Sequence, residues 1–301
     1  MKKELLTLVA GSAMFASFAN AEIVLTEELS AYGYIDTAYT TGGDASDLDG
    51  SVAEFELGFA FKPVASAWSA YAELSFDGET SGDKGEDGEV EFEKVVISYD
   101  YSEALSFTVG NILSYQGFET KDATGLYQYS YQGKGDKRVY SAGYEFGVAA
   151  DYVTDSYALG FWVGEGNGDE ASFEYFAQYT AIDGLTLTAV LADDGAYDTT
   201  NLWASYEVDA FTFALEYTST SADNNADTEA YMALVYYAMG DAGLTARYST
   251  GEDTSDDFDK YTVSPSYAFS DSVFGLVEYS YLEVESKKAE NILAAELIFS
   301  F

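Results

Sequence analysis

The sequence has no cysteine and no histidine. Without cysteine there is no disulfide scaffold and no thiolate metal site. Without histidine the commonest general base and the commonest metal ligand are missing, and no Ser-His or Asp-His catalytic arrangement can be built. Proline is nearly absent, at two in 301 residues, which suits long uninterrupted strand ladders. Basic residues are scarce, 13 against 53 acidic, for a net charge of −40. That leaves no basic footprint for a nucleic-acid partner. Beyond the first residues, no apolar run approaches the roughly 18 residues that mark a spanning helix.

What is present is odd for an acidic soluble chain. Hydrophobic residues make up 48% and aromatics 17%, with 27 Tyr and 20 Phe. Acidic chains poor in apolar residues stay disordered, whereas this one has apolar surface to bury. A membrane protein without an apolar helix must be a closed barrel, because lipid leaves no backbone group unpaired.

The N-terminus reads as a segment to be removed. Lys2 and Lys3 form a charged start, Leu5 to Phe18 is apolar or small, and Ala19-Asn20-Ala21 is a small-x-small cleavage site. This is the pattern of a secretory signal peptide over 1–21, with a single domain over 22–301.

Strict alternation of apolar and polar residues recurs along the rest, the mark of strands with two unlike faces. Phe55, Leu57, Phe59 and Phe61 alternate with Glu54, Glu56, Gly58 and Ala60. Tyr140, Ala142, Tyr144, Phe146, Val148, Ala150 and Tyr152 alternate with Ser141, Gly143, Glu145, Gly147, Ala149 and Asp151. In the last segment Leu293, Ala295, Leu297, Phe299 and Phe301 share a face, with Ile298 the exception on the other. The pattern predicts sixteen strands: 29–40, 52–62, 67–77, 90–101, 104–112, 139–153, 157–164, 171–180, 185–193, 199–208, 210–219, 229–239, 243–250, 258–269, 272–282 and 289–301. In 90–101, Val95, Ile97 and Tyr99 face outward only if Glu91 and Glu93 lie above the bilayer or a bulge intervenes.

Connection lengths alternate. Short ones carry turn residues, as at Ser102-Glu103, Asp209 and Ser270-Asp271; longer ones fall between them, at 41–51, 78–89, 113–138, 165–170, 194–198, 220–228, 251–257 and 283–288. Short turns on one rim and long loops on the other is the plan of an up-and-down antiparallel transmembrane barrel, with short periplasmic turns and longer external loops. Phe61, Tyr101, Tyr152, Tyr179, Tyr206, Phe269 and Phe301 all fall near the short-turn rim on the outward face, as an aromatic girdle would.

Two resemblances follow. The chain ends Glu296-Leu297-Ile298-Phe299-Ser300-Phe301, which resembles the C-terminal signature of bacterial outer-membrane proteins. In that class the signature is read by the barrel insertion machinery, which puts Phe299 and Phe301 in that role. Ala104 to Asn111 leads into Tyr115-Gln116-Gly117-Phe118-Glu119 and the aromatic stretch Leu126 to Tyr131. This resembles the OmpL-like β-barrel porins, where an apolar-x-Gly strand runs into a Gly-aromatic-Glu loop. The likeness implies a passive outer-membrane pore for small hydrophilic solutes in a Gram-negative bacterium. Porins of this kind commonly form homotrimers, though no residue here marks a trimer interface.

The face opposite the apolar one carries Asp36, Glu54, Glu56, Glu73, Glu145, Asp151, Glu174, Glu207, Glu216, Glu278 and Glu296, with Arg247 and Lys260 as its few cations. So many carboxylates would not pack in a filled core, and sixteen strands leave room for an aqueous channel. A carboxylate wall attracts cations and repels anions, and low-dielectric walls focus its field, so the lining predicts cation preference. The longest loop, 113–138, holds Lys121, Lys134, Lys137 and Arg138 against Glu119, Asp122 and Asp136. In the porins it resembles, a long early loop folds into the channel. A locally basic loop facing acidic walls would set a transverse field at a constriction.

Three acidic clusters invite a metal: Asp44, Asp47 and Asp49; Asp83, Glu86 and Asp87; and Asp253, Asp256 and Asp257. None has the twelve-residue EF-hand spacing, so no dedicated metal site is expected and no cofactor is implied. No carboxylate pair stands apart with separated roles, so the chain is not expected to be an enzyme. The competing reading is a structural or adhesive barrel that displays loops without an open channel. The expected partners are outer-membrane lipid, the insertion machinery, and small solutes and cations.

Overall fold

The computed structural model describes residues 22–41, 48–77, 90–133, 139–140, 143–166, 170–222, 227–253, 256–285 and 287–301. The leader 1–21, the loop acids Asp44, Asp47, Asp83, Glu86 and Asp87, and the loop cations Lys134, Lys137 and Arg138 lie outside them.

The described chain forms β1 (Glu22–Val24), β2 (Leu29–Thr41), β3 (Leu48–Phe61), β4 (Trp68–Asp77), β5 (Val90–Asp100), β6 (Leu105–Leu113), β7 (Tyr144–Val153), β8 (Tyr157–Glu165) and β9 (Ala171–Ile182). It continues with β10 (Leu185–Asp193), β11 (Tyr197–Val208), β12 (Phe211–Ala222), β13 (Thr228–Met239), β14 (Ala242–Asp253), β15 (Asp256–Ser270), β16 (Val273–Val284) and β17 (Glu290–Ser300). Each of β2 to β17 pairs antiparallel with its sequence neighbour, and β17 pairs with β2, so sixteen strands close a barrel with no free edge between them.

Two faces follow from the period of two. On β12, Phe211, Phe213 and Leu215 are exposed while Thr212, Ala214 and Glu216 are buried. On β17, Leu293, Leu297 and Phe299 are exposed while Ala294, Glu296, Ile298 and Ser300 are buried. Ile298 thus faces inward, as its break in the alternation requires. The rim aromatics Phe61, Tyr101, Tyr152, Tyr179, Tyr206 and Phe269 are exposed on the outer face. Phe301 is half-buried, its ring 6.2 Å from that of Phe299.

The strands depart from the sequence reading in three places. First, the strand expected from 139 begins at Tyr144, and Tyr140 is buried rather than outward. Second, β11 to β16 run longer than the pattern suggested, so the connection expected over 251–257 shrinks to 254–255, with Asp253 facing Asp256 across the ladder. The alternation of loop lengths is therefore pronounced only in the first half. Third, β1 was not anticipated. It pairs Glu22 with Tyr32 and Val24 with Ser30, filling the part of the β2 edge that β17 leaves open. Gly33 stands between the two and exchanges both backbone bonds with Phe301, each at 2.9 Å. Of the two conditions stated for 90–101, the structure has the bulge, on β5: Ala72 pairs with Val95 but Leu74 with Phe92. A bulge sets two residues against one, which turns Glu93 inward and lets Val95 and Ile97 face outward.

Two-residue turns at 183–184, 209–210, 240–241 and 271–272 lie on the short-turn rim. Gly184, at φ 73, has no room for a side chain, since a Cβ there would lie 2.2 Å from the Glu207 carbonyl oxygen.

A candidate constriction inside the barrel

Of the anticipated lining residues, Asp36, Glu56, Glu73, Asp151, Glu174, Glu216, Arg247, Lys260, Glu278 and Glu296 are buried within the barrel. Glu54 is half-buried. Glu145 and Glu207 are exposed, Glu145 at a cavity and Glu207 beside the turn at 209–210. The wall carboxylates do not simply face water. Most of those on β7 to β16 are bonded to the segment between β6 and β7, which lies against the inner wall.

Those bonds follow one another along the segment. Glu174 accepts from Ser114 Oγ at 2.6 Å, the Tyr115 amide at 2.8 Å and Gln116 Nε2 at 3.2 Å. Asp151 accepts from Tyr115 Oη at 2.6 Å. Burial pushes the Tyr115 phenol well above its ordinary pKa, with Asp151 adding to the shift, so it stays a donor. Asn201 Oδ1 accepts the Gly117 amide at 3.1 Å. Glu216 accepts the Phe118 amide at 2.9 Å and Gln132 Nε2 at 3.1 Å. Glu278 accepts the Ser130 amide at 2.8 Å and its hydroxyl at 2.5 Å. Backbone amides carry no charge to neutralise, but a carboxylate that accepts them gains a charge-assisted bond in a low-dielectric site.

The wall cations also turn to this segment. Arg247 Nη1 donates to Glu119 Oε1 at 2.6 Å and Nη2 to the Tyr131 carbonyl at 2.8 Å. Lys260 Nζ donates to the same carbonyl at 2.6 Å, and its side chain is fully buried. Gln128 shares Glu119, and Tyr140 Oη donates to the Glu119 carbonyl at 2.7 Å.

Apolar contacts complete the seat. Phe118 stacks on Tyr127 at 6.3 Å and meets Trp203 edge-on at 5.6 Å. Tyr127 packs on Tyr236 at 4.9 Å, beside Met232 and Leu234 of β13. The interior face of β13 is thus apolar, because it is covered by protein and not by water.

On the opposite wall the segment meets carboxylates. Lys121 pairs with Glu93 and lies over the Tyr144 ring at 4.8 Å. Asp122 approaches Glu54, Glu56 and Glu93. Glu73 takes bonds from Lys94 at 3.1 Å and Tyr32 at 2.5 Å. A cavity of about 470 Å³ lies beside the segment toward the longer loops, lined by Gln116, Tyr140, Glu145, Trp162, Glu174 and Tyr197.

Sequence reasoning missed Lys94, Asn201, Ser130 and Trp203. Lys94 was hidden by the β5 bulge. Asn201 and Trp203 share the inward parity of β11, which was visible, but nothing in the sequence says what stands across from them.

Gly117 is the close approach on which this seat turns. Its φ is +100, and a Cβ would fall 2.0 Å from the Tyr140 ring. Gly117→Ala is expected to displace Tyr140 from Glu119, so that protease cuts within 114–143 faster in the detergent-folded protein. An unchanged cleavage rate would count against this contact as the lock.

No family model and no curated protein matches the chain. Solved structures do. OmpT of Vibrio cholerae aligns with TM-score 0.70 over 93% of this chain and 100% of that one, at 15% identity. The outer membrane channel DcaP of Acinetobacter baumannii gives 0.69 over 91% and 97%, at 12% identity. An anion-selective porin from Comamonas acidovorans gives 0.68 over 91% and 99%, at 14% identity. The chain therefore has the sixteen-stranded fold of the outer-membrane porins. At these identities the likeness is one of fold. The narrower resemblance to the OmpL-like porins rests on the sequence around residues 92–131.

Proposed function

We propose that this chain is a passive outer-membrane porin for small hydrophilic solutes, preferring cations. The observation that carries the reading is the segment 114–133, held inside a closed barrel by wall carboxylates, with Asp122 on it turned toward Glu54, Glu56 and Glu93. A narrowing with carboxylates on both sides selects cations by charge. Of the basic residues expected to set a transverse field, Lys121 pairs with Glu93, and Lys134, Lys137 and Arg138 lie outside the described residues. The fold alone does not set the sign, because it is shared with an anion-selective porin. In this reading 1–21 directs export, Phe299 and Phe301 serve the insertion machinery, lipid covers the exposed apolar face, and a homotrimer is the expected assembly.

The second reading is a sealed structural barrel. The apolar packing of Phe118 and Tyr127 against Trp203, Met232 and Tyr236 favours it. Planar-bilayer recording of the refolded protein under a KCl gradient separates the two. Discrete steps with a cation-selective reversal potential are expected. Stable insertion without conductance would overturn the pore and leave the sealed barrel. An anion-selective potential would overturn the cation preference.

A further inference from the structure

The wall on which Asp122 converges holds more negative charge than its cations offset. One carboxylate oxygen from each of Glu54, Glu56, Glu93 and Asp122 lies within 4.8 Å of the others. Glu56 and Glu93 are almost wholly buried, and among the described residues the Oε2 atom of each has no hydrogen-bond partner. Lys121 pairs with Glu93 through its other oxygen, and Lys94 with Glu73 outside the four. Buried carboxylates at such spacing repel strongly unless a cation or a proton stands among them.

The donor set names the cation. Four carboxylate oxygens and no nitrogen or sulfur suit a hard ion. Oxygens on opposite sides of calcium, each at about 2.3–2.6 Å, stand roughly 5 Å apart, close to the spread seen here. We propose that Glu54, Glu56, Glu93 and Asp122 bind one calcium ion, which ties the inward segment to β3 and the β5 bulge. The inward turn of Glu93 depends on that bulge, which gives the irregular register a purpose. The site goes beyond the pore reading and stands without it, since binding needs no conduction.

The test uses the full chain, folded in detergent and stripped of metal, in 0.1 M KCl. Calcium is titrated by calorimetry, and terbium by luminescence sensitised through nearby tyrosines. One calcium per chain is expected, with a dissociation constant on the order of 10⁻⁴ M, as for open extracellular sites. The Glu56→Gln/Glu93→Gln variant is expected to weaken it by about tenfold or more, since affinity follows the number of charged ligands. If that variant fails to fold, Asp122→Asn, on the segment and outside the barrel strands, carries the same comparison. Isotherms identical in variant and parent would overturn the site, because the surface acids would then account for all the binding. Terbium emission unmoved by added calcium would overturn it as well.

Discussion

Replacing residues 118–139 by a short Gly-Ser bridge raises the single-channel conductance by roughly twofold or more, because passage follows the open cross-section. Gly117 lies against the tip of the Tyr140 ring, so the two ends stand about one tyrosine side chain apart and a short bridge spans the gap. The barrel ladders remain, since every strand of β2 to β17 pairs with its neighbours and not with the segment. The deletion also frees Glu216 and Glu278 from their bonds to Phe118, Gln132 and Ser130. Glu93 loses Lys121 as well, and Arg247 and Lys260 are uncovered too, so three uncovered acids face two uncovered cations and cation selectivity is expected to rise modestly along with conductance. Single-channel recording in asymmetric KCl reads both. A conductance equal to that of the parent would show that the segment does not limit the path.

The second large effect concerns the pair that locks the segment. Arg247 and Glu119 are both buried, and their contact is 2.6 Å. Removing Arg247 leaves Glu119 charged in low dielectric, with the neutral Gln128 amide as its remaining bond at Oε1. Arg247→Met is expected to destabilise the folded protein by about 3–5 kcal/mol. The double variant Arg247→Met/Glu119→Gln is expected to recover much of that loss, because no orphan charge remains. Urea unfolding in lipid vesicles measures the cycle. Additive effects of the two substitutions would mean that the pair is not coupled.

The two effects bear on what could be read from the sequence. The faces of the strands were legible because side chains alternate with period two, and the predicted 185–193 coincides with Leu185–Asp193. Parity also placed Glu174, Glu216, Glu278 and Arg247 on the inner face. What parity cannot carry is the identity of the group across the lumen. Glu216 reads the same whether it faces water or accepts the Phe118 amide. Tyr140 was misassigned for a related reason: its alternation with Ser141 and Gly143 continues the β7 pattern, yet its hydroxyl is drawn to Glu119. Met232, Leu234 and Tyr236 break the polar inner face of β13, and that break was the one local sign that protein covers it.

The seam between β17 and β2 has a consequence for how the molecule is made. All the other barrel pairings join consecutive strands, which a growing hairpin meander forms from near neighbours. Here Thr37 donates to the Leu297 carbonyl, 260 positions away. Bringing such distant segments together costs loop-closure entropy before any ladder bond repays it, so this step is slow relative to hairpin formation. Until it is made, the sheet has two bare edges that template aggregation. Short β1, by pairing with β2 ahead of the distant partner, covers the first few residues of one such edge with locally available chain.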